Sequence, residues 1–159
     1  MDHTPTPGDT HLHRHEIHKQ TATRLRRERG IIAVEPHPSP MRPVRVTATL
    51  DPTVFFQNDL QADEATLEFE WRPSAGRDEF RIQYNEPNSP WSCGWHQDRT
   101  HESLGASHFQ VDHNEWSTSH REPASFSDSN PMAILETCLD ELRDRVPVLP
   151  ESIRSEQCG

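Results

Sequence analysis

Three short stretches of strict two-residue alternation constrain this chain more than any other feature. Val44, Val46, Ala48 and Leu50 alternate with Arg45, Thr47 and Thr49. Leu67, Phe69 and Trp71 alternate with Glu68 and Glu70, and Phe80, Ile82 and Tyr84 with Arg81 and Gln83. Successive side chains of a strand point to opposite faces, so each stretch describes a strand with one face buried and one face wet. Pro73-Ser74-Ala75-Gly76 and the run from Asn85 to Pro90 supply turns after the second and third. A fourth strand follows from Trp91 to His96, with Trp91, Cys93 and Trp95 on one side. A fifth follows from about Ser107 to His113, with Phe109 and Val111 opposed to His108 and Gln110. Connections this short favour antiparallel pairing in sequence order. Residues 51–62, between the first two strands, read as a short helix or loop.

One helix is expected near the C-terminus. Asn130 is an N-cap type, Pro131 suits the first turn, and Leu135, Cys138, Leu139, Leu142 and Val146 form an apolar stripe that Pro147 ends. The stripe and one sheet face need cover, which each supplies to the other. The expected fold is therefore α+β: an antiparallel β-meander of four to five strands with a C-terminal α-helix packed on one face. That domain spans 42–147, between a disordered or weakly helical N-terminal arm over 1–41 and a flexible tail over 148–159. The arm is rich in Thr, Pro and His and closes on Glu35-Pro36-His37-Pro38-Ser39-Pro40. Such composition buries too little apolar surface to offset chain entropy. Within it, residues 13–29 can form one polar helix carrying the basic cluster Arg24, Arg26, Arg27 and Arg29, which suits either a phosphate- or partner-binding arm or a solvated tail. The His11, His13, His15, His18 run reads as incidental. Met41, at the head of the strand pattern, is a candidate start codon.

The chain has 159 residues and a formal net charge of −10, and Lys19 is its single lysine. The acidic excess lies in the domain. This balance fits a salt-adapted cytoplasm, where screening relieves self-repulsion; Arg-rich codon usage is the alternative. Cys93, Cys138 and Cys158 form neither a disulfide framework nor a zinc ribbon. No signal peptide or membrane-length apolar run is present, so a cytoplasmic location without membrane partners is expected. No Walker loop, dinucleotide fingerprint or Ser/His/Asp spacing occurs, and no cofactor is expected.

By strand parity, the face away from the helix carries Arg81, Gln83, His96, His108 and Gln110, with Asp98, Arg99 and His101 following the fourth strand. Three readings compete for these residues. His96, Asp98, His101 and His108 have the donor chemistry of a divalent-metal site, at a spacing that matches no standard motif. His96 and His108 can act as general base and acid, with Arg81 catalytic beside them and Gln83, Gln110 and Arg99 holding substrate, as metal-free RNA cleavage requires. The third reading is a solvated polar face. Trp71, Trp91 and Trp95 read as core, and Trp116, in a polar loop, as a surface contact.

From about Val44 to Val146 the chain resembles small haloarchaeal proteins of unknown function and is distantly similar to TumE-like toxins of toxin–antitoxin pairs. The resemblance rests on Phe80-Arg81-Ile82-Gln83-Tyr84, Gly94-Trp95-His96-Gln97-Asp98, Gly105-Ala106-Ser107-His108, Glu122-Pro123 with Phe126, and the final helix. It implies a toxin-type protein acting on RNA or translation, a ribonuclease in one form, partnered by a helix-turn-helix antitoxin. The alternative function is a non-enzymatic module that docks a partner protein through its open sheet face or edge. The acidic domain repels phosphate at low salt, which weighs against simple nucleic-acid binding.

Overall fold

The computed structural model describes residues 7–57, 63–98 and 107–149, with side chains described from residue 13. Seven strands form one antiparallel sheet in sequence order: β1 (Ile31–His37), β2 (Arg45–Leu50), β3 (Ala65–Arg72), β4 (Glu79–Asn85), β5 (Trp91–Gln97), β6 (Ser107–His113) and β7 (His120–Ala124). Helix α1 (Pro7–Arg26) precedes the sheet, the short α2 (Pro52–Phe56) lies between β2 and β3, and α3 (Pro131–Arg145) follows it. The fold is α+β with a C-terminal helix. The sheet has two strands more than the upper expectation of five, one at each edge. Among the described residues, no helix is long and apolar enough to cross a membrane.

The five expected strands are the five central ones. Their alternation follows the pleat: Val46, Phe69, Ile82, Trp95 and Phe109 lie in one row, and Ala48, Leu67, Tyr84, Cys93 and Val111 in the next. All ten are buried. The edges β1 and β7 lack this pattern because they are only partly buried. Each contains a proline, Pro36 and Pro123. Proline cannot donate to a ladder and is tolerated at a sheet edge.

From residue 13 on, the segment expected to stand apart as an arm packs against the domain. Ile17, His18, Thr21, Ala22 and Leu25 are buried along one face of α1. This stripe escaped the sequence pattern because two of its members are polar. Thr21 satisfies itself by donating to the Ile17 carbonyl at 2.9 Å. His18 Nδ1–H donates to the Arg14 carbonyl at 2.7 Å, and its Nε2 accepts from the Trp71 backbone N–H at 3.1 Å. β2 pairs with β3 only as far as Val46 opposite Phe69, so His18 takes a donor that the shorter neighbour leaves open. Arg14 Nε donates to the Trp71 carbonyl at 3.0 Å. His15 and His18 of the histidine run thus serve the fold, His15 Nδ1 lying 3.1 Å from the Pro43 carbonyl. Of the tail expected over 148–159, Val148 ends a 3-10 turn (Val146–Val148) and Leu149 packs against the core, and residues from 150 onward lie outside the described residues.

Gly30 joins α1 to the sheet with φ of +92°, and a side chain there would meet the Phe55 backbone at 2.6 Å. Asp51 caps α2, accepting from the backbone N–H groups of Thr53 and Val54, and Gln57 ends it in the left-handed region. Asn130 caps α3 through Met132 and Ala133, as its sequence suggests. Ile134, Leu135, Cys138, Leu139 and Leu142 are its buried residues. Glu28 ties three helices together: it pairs with Arg24 at 2.7 Å and with Arg143, whose guanidinium lies 4.2 Å from the Phe55 ring centroid. Arg24 also pairs with Glu136. This member of the basic cluster is therefore committed to packing. Trp71, Trp91 and Trp95 are core. Trp116, half-buried, packs against that core and stacks on His113 at 5.3 Å.

Candidate functional site

The pairing of β4, β5 and β6 aligns Arg81, His96 and His108 side by side across three strands. They stand in the pleat opposite to the row of Ile82, Trp95 and Phe109, on the face turned away from α3. The two imidazoles meet edge to face with centroids 5.3 Å apart. His108 is buried and His96 half-buried. Asp98, just beyond the end of β5, brings a carboxylate to the same place: one donor atom from each of His96, Asp98 and His108 lies within 4.8 Å of the others. Arg81 is exposed and pairs with Glu68 at 3.5 Å. A cleft of about 160 Å³ runs beside the group, bordered by Arg81, Asp98, Arg72, Glu70, Phe80 and Gln97.

Two glutamines flank the imidazoles. Gln83 is buried, its Oε1 3.0 Å from His96 Nε2 and its Nε2 3.1 Å from Ser92 Oγ. Gln110 places Oε1 3.3 Å from His108 Nε2 and donates through its own Nε2 to Asp112 at 2.9 Å. Arg121 Nε donates to the same Gln110 oxygen at 3.2 Å. Both residues were expected to hold substrate; in the structure both bond to the histidines. Arg99 and His101, the remaining expected members, lie outside the described residues.

Burial, first, then the neighbouring His108 and Arg81, lower the His96 pKa to about 4. Taking an imidazole out of water disfavours its charged form, and the Arg81 guanidinium adds to that. At neutral pH His96 is therefore uncharged, with a nitrogen lone pair to offer. It suits a metal ligand, and it suits a general acid poorly, because an acid must carry its proton at working pH. Two imidazoles and a carboxylate are ligands for ions of the zinc, cobalt and nickel type. In a tetrahedral zinc site with bonds of about 2.0–2.1 Å, donor atoms stand roughly 3.3–3.5 Å apart. The three donor atoms, all within 4.8 Å of one another, would have to draw closer to close on one ion. Three protein donors leave at least one coordination position for water or substrate.

Sequence parity placed His96 and His108 on one face, and the chain pattern around Asp98 located it nearby. What sequence reasoning missed is the bonding of Gln83 and Gln110 to the rings. The available signal was Gly94, directly opposite both Gln83 and Gln110 in the ladder. A larger cavity of about 670 Å³, lined by Trp71, Ser107, Phe126 and Ile134 among others, includes neither imidazole. No protein-family model, curated protein or solved structure matches this chain.

Proposed function

We propose that the protein works through a divalent transition-metal ion held by His96, Asp98 and His108, with an open coordination position facing the cleft beside Arg81. The supporting observation is the convergence of three ligand-type donors within 4.8 Å on the sheet face opposite α3. An ion there supplies Lewis-acid chemistry of the kind used in metal-assisted hydrolysis. The test is titration of the native protein with zinc, and with cobalt for its visible spectrum, in a His11→Ala/His13→Ala background that silences the N-terminal run. One equivalent is expected to bind, with at least a tenfold loss in His96→Ala and in His108→Ala and none in His120→Ala. Absence of binding, or equal binding by the His96 and His108 variants, overturns the proposal.

Arg81 favours a second reading. Arg81 stands in the same row as the imidazoles and, exchanging its Glu68 partner, can meet a phosphate; on this reading the protein acts on RNA as a toxin-type protein with a helix-turn-helix antitoxin as partner. Growth arrest on induction that disappears with His108→Ala is the expected result, and growth unaffected by induction rejects this reading. A stoichiometric protein partner recovered with RNA intact would instead favour a non-enzymatic docking module in a salt-adapted cytoplasm.

A further inference from the structure

Gly94 lies between Gln83 and Gln110 in the sheet ladder, where a side chain would otherwise stand on the face of the histidines. A Cβ at this position would meet Gln83 Oε1 at 2.6 Å and also the Ile82 carbonyl oxygen. The missing side chain is thus the space through which the Gln83 amide lies across β5. From there it reaches Ser92 on one side and His96 on the other, two residues that flank Gly94 by two positions each way.

The Gln110 amide has a defined orientation. The Arg121 guanidinium can only donate and the Asp112 carboxylate can only accept, so the oxygen faces Arg121 and the nitrogen faces Asp112. Asp112 is itself held by Ser119. The oxygen that Arg121 selects also faces His108 Nε2, which must therefore carry the proton. Gln83 turns its oxygen to His96 Nε2 and its nitrogen to Ser92 Oγ, a hydroxyl that can donate or accept, so the His96 tautomer is the one the spectra below must establish independently.

We propose that Gln83 and Gln110 are positioning residues that hold His96 and His108 as Nε2–H tautomers, leaving Nδ1 of each ring as the lone-pair atom, with the Gln83 amide doing so across the space that Gly94 leaves open. For the ligand role this rests on the metal reading above. Ring N–H groups of metal-bound histidines are commonly fixed by carbonyl or carboxylate oxygens, and loss of such a partner costs ten- to hundredfold in affinity.

Long-range proton–nitrogen correlation spectra of the metal-free protein report which ring nitrogen bears the proton. Both histidines are expected as Nε2–H in the native chain. Gln83→Met and Gln110→Met keep the side-chain length and remove the acceptor; each is expected to release its own histidine into a tautomer mixture and weaken metal binding at least tenfold. Gln83→Glu keeps an acceptor oxygen and should preserve the His96 tautomer. Gly94→Ala would press on the Ile82 backbone carbonyl as well as on the Gln83 amide, so the two Met variants carry the test. Unchanged tautomers in both Met variants, or an Nδ1–H form in the native protein, overturn the inference. Correct tautomers in a native protein that binds no ion overturn the metal reading and leave the tautomer assignment standing.

Discussion

His18 predicts a specific acid weakness in the docking of α1. Both ring nitrogens are committed: Nδ1–H donates to the Arg14 carbonyl, and Nε2 accepts from the Trp71 N–H. A second proton on Nε2 would set two N–H groups head to head in a buried site. Burial, above all, holds the His18 pKa at about 4, against an ordinary value of 6.5. The unfolded chain binds its proton near 6.5 and the folded chain only near 4. Between those values the unfolded state holds more protons, so acid favours it. The stabilisation is complete above about pH 6.5 and is lost as pH falls toward 4. At 1.36 kcal/mol per pKa unit the loss is about 3 kcal/mol, with a slope of about 1.4 kcal/mol per pH unit. His96, also held near 4, adds a second proton to the native slope. Replacing His18 with Leu removes one titration and strands the Trp71 N–H, at a cost of about 1–3 kcal/mol at pH 7.5. Urea unfolding at pH 7.5, 6, 5 and 4 measures this directly. The gap between native and His18→Leu proteins should narrow steadily as pH falls, and the variant's slope should be about one proton shallower. Parallel pH profiles for the two proteins would refute the buried, neutral imidazole.

Leu142→Ala, at a fully buried position of α3, should lower stability by about 3–5 kcal/mol in the same unfolding assay, from lost transfer energy and the cavity left behind. Gly30→Ala should destabilise by more than the usual cost of a positive φ, because its Cβ meets the Phe55 backbone rather than a movable side chain, and Gly30→Asn should fare no better. A chain begun at Met41 should lose its cooperative unfolding transition, since it discards the buried face of α1 and bares β2 as a new edge. Cys93 and Cys138 thiols, both pushed up in pKa chiefly by burial, should resist alkylation until the protein unfolds.

The sequence alone determined the centre of the sheet, the helix α3 and the face on which His96 and His108 stand. Each of these depends on local periodicity: a two-residue repeat assigns sides of a strand, and a cap with an apolar stripe assigns a helix. Only the tertiary structure decided that α1 and β1 belong to the domain. A buried His18 or Thr21 looks like a solvated residue until the acceptor and donor that satisfy it are seen, and one of those, the Trp71 N–H, lies far along the chain. The same holds for β7, whose partial burial follows from its position at the edge rather than from its residues. The partners of the imidazoles were hidden for a related reason. Parity says which side of a strand a glutamine occupies, whereas the atom it reaches depends on the gap at Gly94 and on the Arg121–Asp112 pair across the sheet. Polar satisfaction is a property of neighbours in space, and sequence spacing does not record it.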